Sequence, residues 1–188
     1  TSRGALDLTD DAESAELVLQ LGILQRRRGA YDSAEASFTR ARAIVEGAPG
    51  GPHAVLPRVL QQLASISIYR GDVVEAERRA AEAVAVLTRE FGEHDRLTVT
   101  ALRYLGAVQW RRGEYAQAEA TIRRAIELRP LAAGSTRQEM FNDRTQLAEL
   151  LVTMDRSGEA EQIFLDVQRE LRRDAPDEVN FLVWSLGS

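Results

Sequence analysis

Three features recur along this chain at one fixed step of 42 residues, and few folds tolerate a period of that length. Ala34-Glu35 is followed by Ala76-Glu77, Ala118-Glu119 and Ala160-Glu161. A Leu followed by a small residue occurs at Leu21-Gly22, Leu63-Ala64, Leu105-Gly106 and Leu147-Ala148. Gly29, Gly71 and Gly113 keep the same step, and Asp155 takes the fourth place. A repeat of this size is one supersecondary unit that buries its apolar surface only by stacking on its neighbours.

Each unit reads as two helices. The first spans roughly 12–28, 53–70, 95–112 and 136–154, with apolar residues three and four apart, as in Leu17, Leu21, Leu24 or Leu60, Leu63, Ile66. Glycine at 29, 71 and 113 then ends the helix, because it accepts the left-handed conformation of a C-terminal cap. The second spans roughly 31–46, 73–91, 115–128 and 158–173, and Pro49, Pro52 and Pro130 fall between units, where helices must stop. Arg28, Arg70 and Arg112 close successive first helices and Glu35, Glu77, Glu119 and Glu161 open the second ones. Both sets suit the helix dipole.

The pattern resembles the tetratricopeptide repeat (TPR) family. In family order the Leu-small pair lies mid first helix, Gly-x-Tyr at the turn, and Ala early in the second helix; here these are Leu105-Gly106, Gly113-Glu114-Tyr115 and Ala118. Phe38/Ala41, Ala80/Ala83, Ile122/Ala125 and Phe164/Val167 take the later bulky and small places. The usual period is about 34. A longer one, with the segment from Phe91 to Gly106, is similar to the kinesin-light-chain type. Val73 and Ser157 replace the turn Tyr, and the fourth turn lacks Gly, so looser packing is expected there. The resemblance implies an all-α, right-handed TPR solenoid of four helix-turn-helix repeats plus a C-terminal capping helix. Residues 1–11 are expected to be disordered or expression-derived. A single domain follows over 12–188, with repeats at about 12–52, 53–94, 95–135 and 136–175 and a capping or truncated helix at 176–188.

Composition narrows the chemistry. The chain has 188 residues, 44% hydrophobic and 28% charged, which is globular and ample for a core. Its net charge of -5 gives no general attraction to nucleic acid or anionic membrane, and no apolar run suffices to span a bilayer. With no cysteine there is no disulfide, thiolate site or cysteine nucleophile. His53 and His94 stand alone in inter-repeat segments, too few for a metal site. P-loop, dinucleotide-turn and nucleophile-elbow motifs are absent. All 24 basic residues are Arg, a bias that suggests a GC-rich bacterial source. No catalytic residue, metal or cofactor is expected.

The resemblance implies a protein-interaction scaffold, cytoplasmic, forming part of a larger bacterial regulatory or signalling protein. Self-association and a sensor region beside an enzyme outside this span stand as alternatives. In the family the first helices line a concave groove suited to a peptide or partner helix. Groove positions fall here on Leu19, Ile23, Arg26 and Arg27 in unit one and Gln61, Ser65, Ile68 and Tyr69 in unit two. Units three and four place Arg103, Ala107, Trp110 and Arg111, then Thr145, Glu149, Val152 and Thr153 there, and Arg58 lies one turn earlier. The expected site is Arg27, Arg58, Gln61, Tyr69, Arg103, Trp110, Arg111, Thr145 and Glu149. Guanidinium groups grip carboxylates and aromatics supply contact area, so an acidic or aromatic-bearing segment is the expected partner. Trp110 shares its repeat position with Ile68 and Val152, which leaves groove and core both open for it.

Overall fold

The computed structural model describes residues 12–47 and 55–174. All regular structure among them is helical, in four pairs. The first helices are α1 (Ala12–Arg27), α3 (Leu56–Tyr69), α5 (Arg96–Arg112) and α7 (Arg137–Thr153). The second helices are α2 (Tyr31–Gly47), α4 (Val73–Phe91), α6 (Tyr115–Leu128) and α8 (Ser157–Asp174). A short 3-10 turn, Arg129–Leu131, follows α6. The expected N-terminal stretch 1–11, His53 and the capping helix 176–188 lie outside the described residues.

Local chemistry sets the helix starts. Asp72 accepts from the Glu75 N–H at 2.9 Å and Asp95 from the Leu97 N–H at 2.8 Å. Thr136 and Glu139 form a capping box at the head of α7. The ends are equally regular. Ala30, Asp72, Glu114 and Arg156 each donate a backbone N–H to the carbonyl five residues back, at 2.9–3.0 Å. The residue before each has positive φ; Asp155, at 58°, does at the fourth turn what glycine does at the others. The fourth turn thus keeps the hydrogen bonds of the others, while α7 and α8 pack on each other less extensively than the helices of the other three pairs, in line with the looser packing expected there.

Packing follows the repeat. Each helix rests on the next in sequence, and successive first helices also touch (α1–α3, α3–α5, α5–α7), whereas the second helices make no comparable contact with one another. The stack is thus tighter along its first-helix side, which makes that side concave. The small position after each Leu has a steric reason. A Cβ on Gly22 would lie 2.5 Å from Phe38, and one on Gly106 2.5 Å from Ile122. Where the facing residue is Ala80, the first helix carries Ala64, and both are buried in one cluster.

One expected core stripe is corrected. Leu21 and Leu24 are 50% and 52% exposed, and Leu17 is exposed as well, although their equivalents Leu63, Ile66 and Val59 are buried. In units two to four this stripe packs beneath the preceding unit's second helix, as Leu63 and Ile66 do in one cluster with Phe38. No helix precedes α1 among the described residues, and its core is instead built from Ala15, Val18 and Leu19.

Unit three joins unit four through a buried ion pair that the sequence reading missed. Arg129 and Asp143 are each 1% exposed, and Arg129 Nε donates to Asp143 Oδ2 at 2.7 Å. Its Nη1 also donates to the Thr100 hydroxyl at 3.2 Å. Burial pushes the Asp143 carboxyl above its ordinary value, against the pull of Arg129 and Arg103.

Candidate functional site

The period places α5 and α7 side by side on the concave face, and a depression of about 510 Å³ opens between them. Arg103, Trp110, Arg111, Thr145 and Glu149 line it together with Ala107, Asn142 and Gln146. Five of the nine expected site residues are thus brought to one place. Trp110 resolves as both of its alternatives: it packs against the cluster of Leu150 and Leu151 and also walls the depression.

The arginines differ in availability. Arg103 is bound inward, with Nε 3.3 Å from Asp143 Oδ1 and Nη1 donating to Gln146 Oε1 at 3.0 Å. Gln146 returns a bond to the Arg103 carbonyl at 3.1 Å. Arg103 is therefore no free clamp, which corrects the expectation that it grips a partner; the buried Asp143 opposite it explains why. Arg111 is exposed and has no hydrogen-bond or ion-pair partner among the described residues. Its charge is felt by Tyr104, whose hydroxyl burial pushes up while a bond with Ser65 and the charges of Arg111 and Arg26 act the other way. Glu149 is the exposed carboxylate of the depression, and the buried Thr145 Oγ1 has no partner there.

The other expected residues lie apart. Arg58 is held by Glu16 at 2.7 Å and so is not a free groove cation. Gln61 borders a separate small void beside Tyr104. Tyr69 stacks on Tyr31 with ring centroids 5.6 Å apart and lies under Arg26, whose Nη1 donates to its hydroxyl at 2.9 Å. Arg27 is exposed beyond that group, and Leu19 is fully buried rather than in the groove.

The acidic residues opening the second helices prove to be inter-unit contacts as well. Glu35 takes Arg70 at 2.5 Å, Glu77 takes Arg112, and Glu119 takes Arg156 at 2.6 Å. The Arg156 bond, aided by Arg123, holds the Glu119 carboxyl below its ordinary value against burial. For Glu35 burial works upward and Arg79 and Arg70 outweigh it. The first two rungs share the 42-residue step; Arg156 lies two positions beyond the equivalent Met154. The signal was in the sequence, as an Arg following each of the first three Ala-Glu pairs by 35 or 37 residues.

No group of three or more His, Asp or Glu among the described residues is placed to hold a metal ion. His94 is an exposed loop residue beside Glu93. No helix among the described residues is long and apolar enough to cross a membrane.

Comparison with known proteins agrees with this geometry. Residues 57–130 match a tetratricopeptide repeat family model. No curated protein sequence matches the chain. Among solved structures, BtubC (BKLC) from P. vanneervenii superposes with a TM-score of 0.71 at 20% identity, over 85% of this chain and 64% of that one. The chain therefore spans less than two thirds of that protein. A kinesin-light-chain-type protein with nearly identical TPR-like repeats, from Podosopora anserina, superposes at 0.69 with 15% identity, over 87% of this chain and 77% of that one. MamA from Desulfovibrio magneticus RS-1 gives 0.59 at 17% identity, over 89% and 79%. At such identities the likeness is one of fold. Turns, small-large helix contacts and the superpositions converge on the fold: the chain is an all-α, tetratricopeptide-like solenoid, and residues 57–130 match the family model itself.

Proposed function

We propose that this chain is a protein-interaction scaffold that takes a peptide or partner helix along its concave face. It is read as part of a larger bacterial regulatory or signalling protein, acting in the cytoplasm and not as an enzyme. The observation that supports this most is the depression between α5 and α7, where Trp110 offers an aromatic wall beside the unpaired Arg111. A cation and an aromatic surface suit an acidic segment bearing an apolar or aromatic side chain. Glu149 across the depression disfavours a second acidic group on that side and so orients the segment.

The test uses acidic peptides with and without a Phe, titrated against the chain and followed by tryptophan fluorescence and calorimetry. Arg111→Glu is the decisive variant, because Arg111 is exposed and bonded to nothing that stabilises the fold. Binding weakened about tenfold or more in Arg111→Glu, with helicity intact, supports the reading. Unchanged binding, or equal binding of basic peptides, removes the depression as the site.

A further inference from the structure

Arginine in this chain is commonly matched to a carboxylate of its own or a neighbouring helix, as Arg42, Arg70, Arg112 and Arg156 are. On the concave face Arg26 and Arg111 are not: neither has an ion-pair partner among the described residues. Arg26 turns from α1 toward α3, where its Nη1 donates to the Tyr69 hydroxyl at 2.9 Å and its guanidinium carbon lies 5.2 Å from the centre of that ring. Arg111 belongs to α5, the first helix on the other side of α3. The want of a carboxylate is thus a property of the interior of the stack and not of its ends.

Two tyrosines lie between these cations. Ser65 gives its proton to the Gln61 carbonyl at 2.9 Å, so in the 3.0 Å contact of Ser65 with Tyr104 the phenol is the donor. The Tyr104 hydroxyl, tied in this way to α3, lies within the fields of Arg111, Tyr69 and Arg26 together. Tyr69 is different. Its oxygen accepts from Arg26, and its own proton meets no acceptor among the described residues. The Nε of Arg26 also lacks an acceptor. Two uncompensated guanidinium charges and a free phenolic proton therefore flank the C-terminal end of α3, in a chain whose net charge is -5.

We infer that this cluster holds a phosphate monoester, carried by a phosphorylated side chain of the segment that lies in the groove. The inference rests on the scaffold reading above and names the acidic group of the partner. A carboxylate offsets one cation, whereas a phosphate monoester is close to a dianion at neutral pH and offsets both. It also has three acceptor oxygens, which suit a guanidinium on either side and a phenolic proton between them. The stack of Tyr69 on Tyr31, with ring centres 5.6 Å apart, keeps Arg26 in place before any ligand arrives, so little ordering remains to be done on binding. A nucleic-acid strand suits the groove less well, because it needs cations along its length and the depression beyond Arg111 carries the carboxylate Glu149 instead.

Calorimetric titration of the whole chain tests this, using one Phe-bearing acidic peptide with Ser, Glu or phosphoserine at a single site, at several spacings from the Phe. At the best spacing the phosphoserine form should bind about tenfold tighter than the Ser form and about threefold tighter than the Glu form. Arg26→Gln should bring the phosphoserine form to within about twofold of the Ser form, with helicity and binding of the Ser form kept. Tyr69→Phe keeps the ring stack and loses the hydroxyl alone. It should lower the gain from phosphorylation about threefold, so the inference can be judged even if Arg26→Gln loosens α1 from α3. Binding of the Ser form tests the scaffold reading by itself. If the Ser form binds and phosphorylation adds nothing, or if the gain survives both variants, the phosphate site is overturned and the scaffold reading stands. If no form binds, both fall. A single-stranded oligonucleotide that binds tighter than the phosphopeptide, and loses that affinity in Arg26→Gln, gives the cations to nucleic acid and overturns the inference as well.

Discussion

Replacing Arg129 with Met should loosen unit four from the rest of the molecule. Both partners of the Arg129–Asp143 pair are 1% exposed, and Arg129 also holds the Thr100 hydroxyl of α5. Removing the guanidinium leaves a buried carboxylate with Arg103 as its remaining cation, 3.3 Å away and itself 31% exposed. Breaking a buried pair from one side costs about 3–5 kcal/mol. Arg103 and protonation of a carboxyl already pushed upward lessen the penalty, which places Arg129→Met at about 3 kcal/mol. Asp143→Asn keeps the shape and some bonds and should cost about 1–3 kcal/mol. The double change Arg129→Met with Asp143→Leu removes both charges and should lie within about 1 kcal/mol of the parent. Urea unfolding followed by circular dichroism gives the three differences, and hydrogen exchange locates them, since repeat stacks need not unfold as one unit. The α7 and α8 amides should lose protection while those of α1 to α4 keep theirs. Single changes that simply add in the double variant would show that the pair is not coupled and refute the reasoning.

Three other outcomes follow from the geometry. Gly106→Ala sets a Cβ 2.5 Å from Ile122 and should destabilise by about 1 kcal/mol net, overpacking outweighing the helix-propensity gain; adding Ile122→Ala, which recreates the Ala64/Ala80 arrangement, should remove the clash. Asp155→Gly relieves a positive φ of 58° on a non-glycine residue and should raise the unfolding midpoint, by a stability gain of about 0.5–1 kcal/mol. Acid should weaken the stack: for Glu139 burial pushes upward, but Arg96 and the Thr136 N–H and hydroxyl outweigh it and bring the carboxyl to about 2. Its folded value lies below the unfolded one, so its contribution is full above pH 4.5 and is lost as pH falls towards 2, which thermal melts in an acid series read directly.

Much of the fold was legible because it is periodic. Helix limits, turn glycines and the Leu-small pair all recur at one step, so each feature is confirmed by its copies. The exposed Leu21 and Leu24 were misjudged for the same reason: their pattern matches that of buried equivalents, and exposure depends on what precedes the helix rather than on the helix itself. Arg103 and Arg58 were expected to be free because a one-dimensional reading shows charges but not the carboxylates facing them, Asp143 and Glu16. The Arg129–Asp143 pair has no counterpart in the other units, and without repetition it carried no signal. Trp110 was undecidable from its repeat position, since a large ring on the groove side of a helix both packs and lines.

The spacing between the two helices of a unit is shared out between two residues, Gly22 with Phe38, Ala64 with Ala80, and Gly106 with Ile122. Bulk that one helix gives up, the other takes, so the shim is a pair and not a side chain. Because the units are joined in series, a small tilt introduced at one shim is carried to every unit beyond it, as at the base of a lever. A substitution at Gly22 therefore re-aims the later units together, while one at Gly106 acts within the unit that carries Trp110. The path of the stack is thus set in part by buried glycines that lie outside the depression.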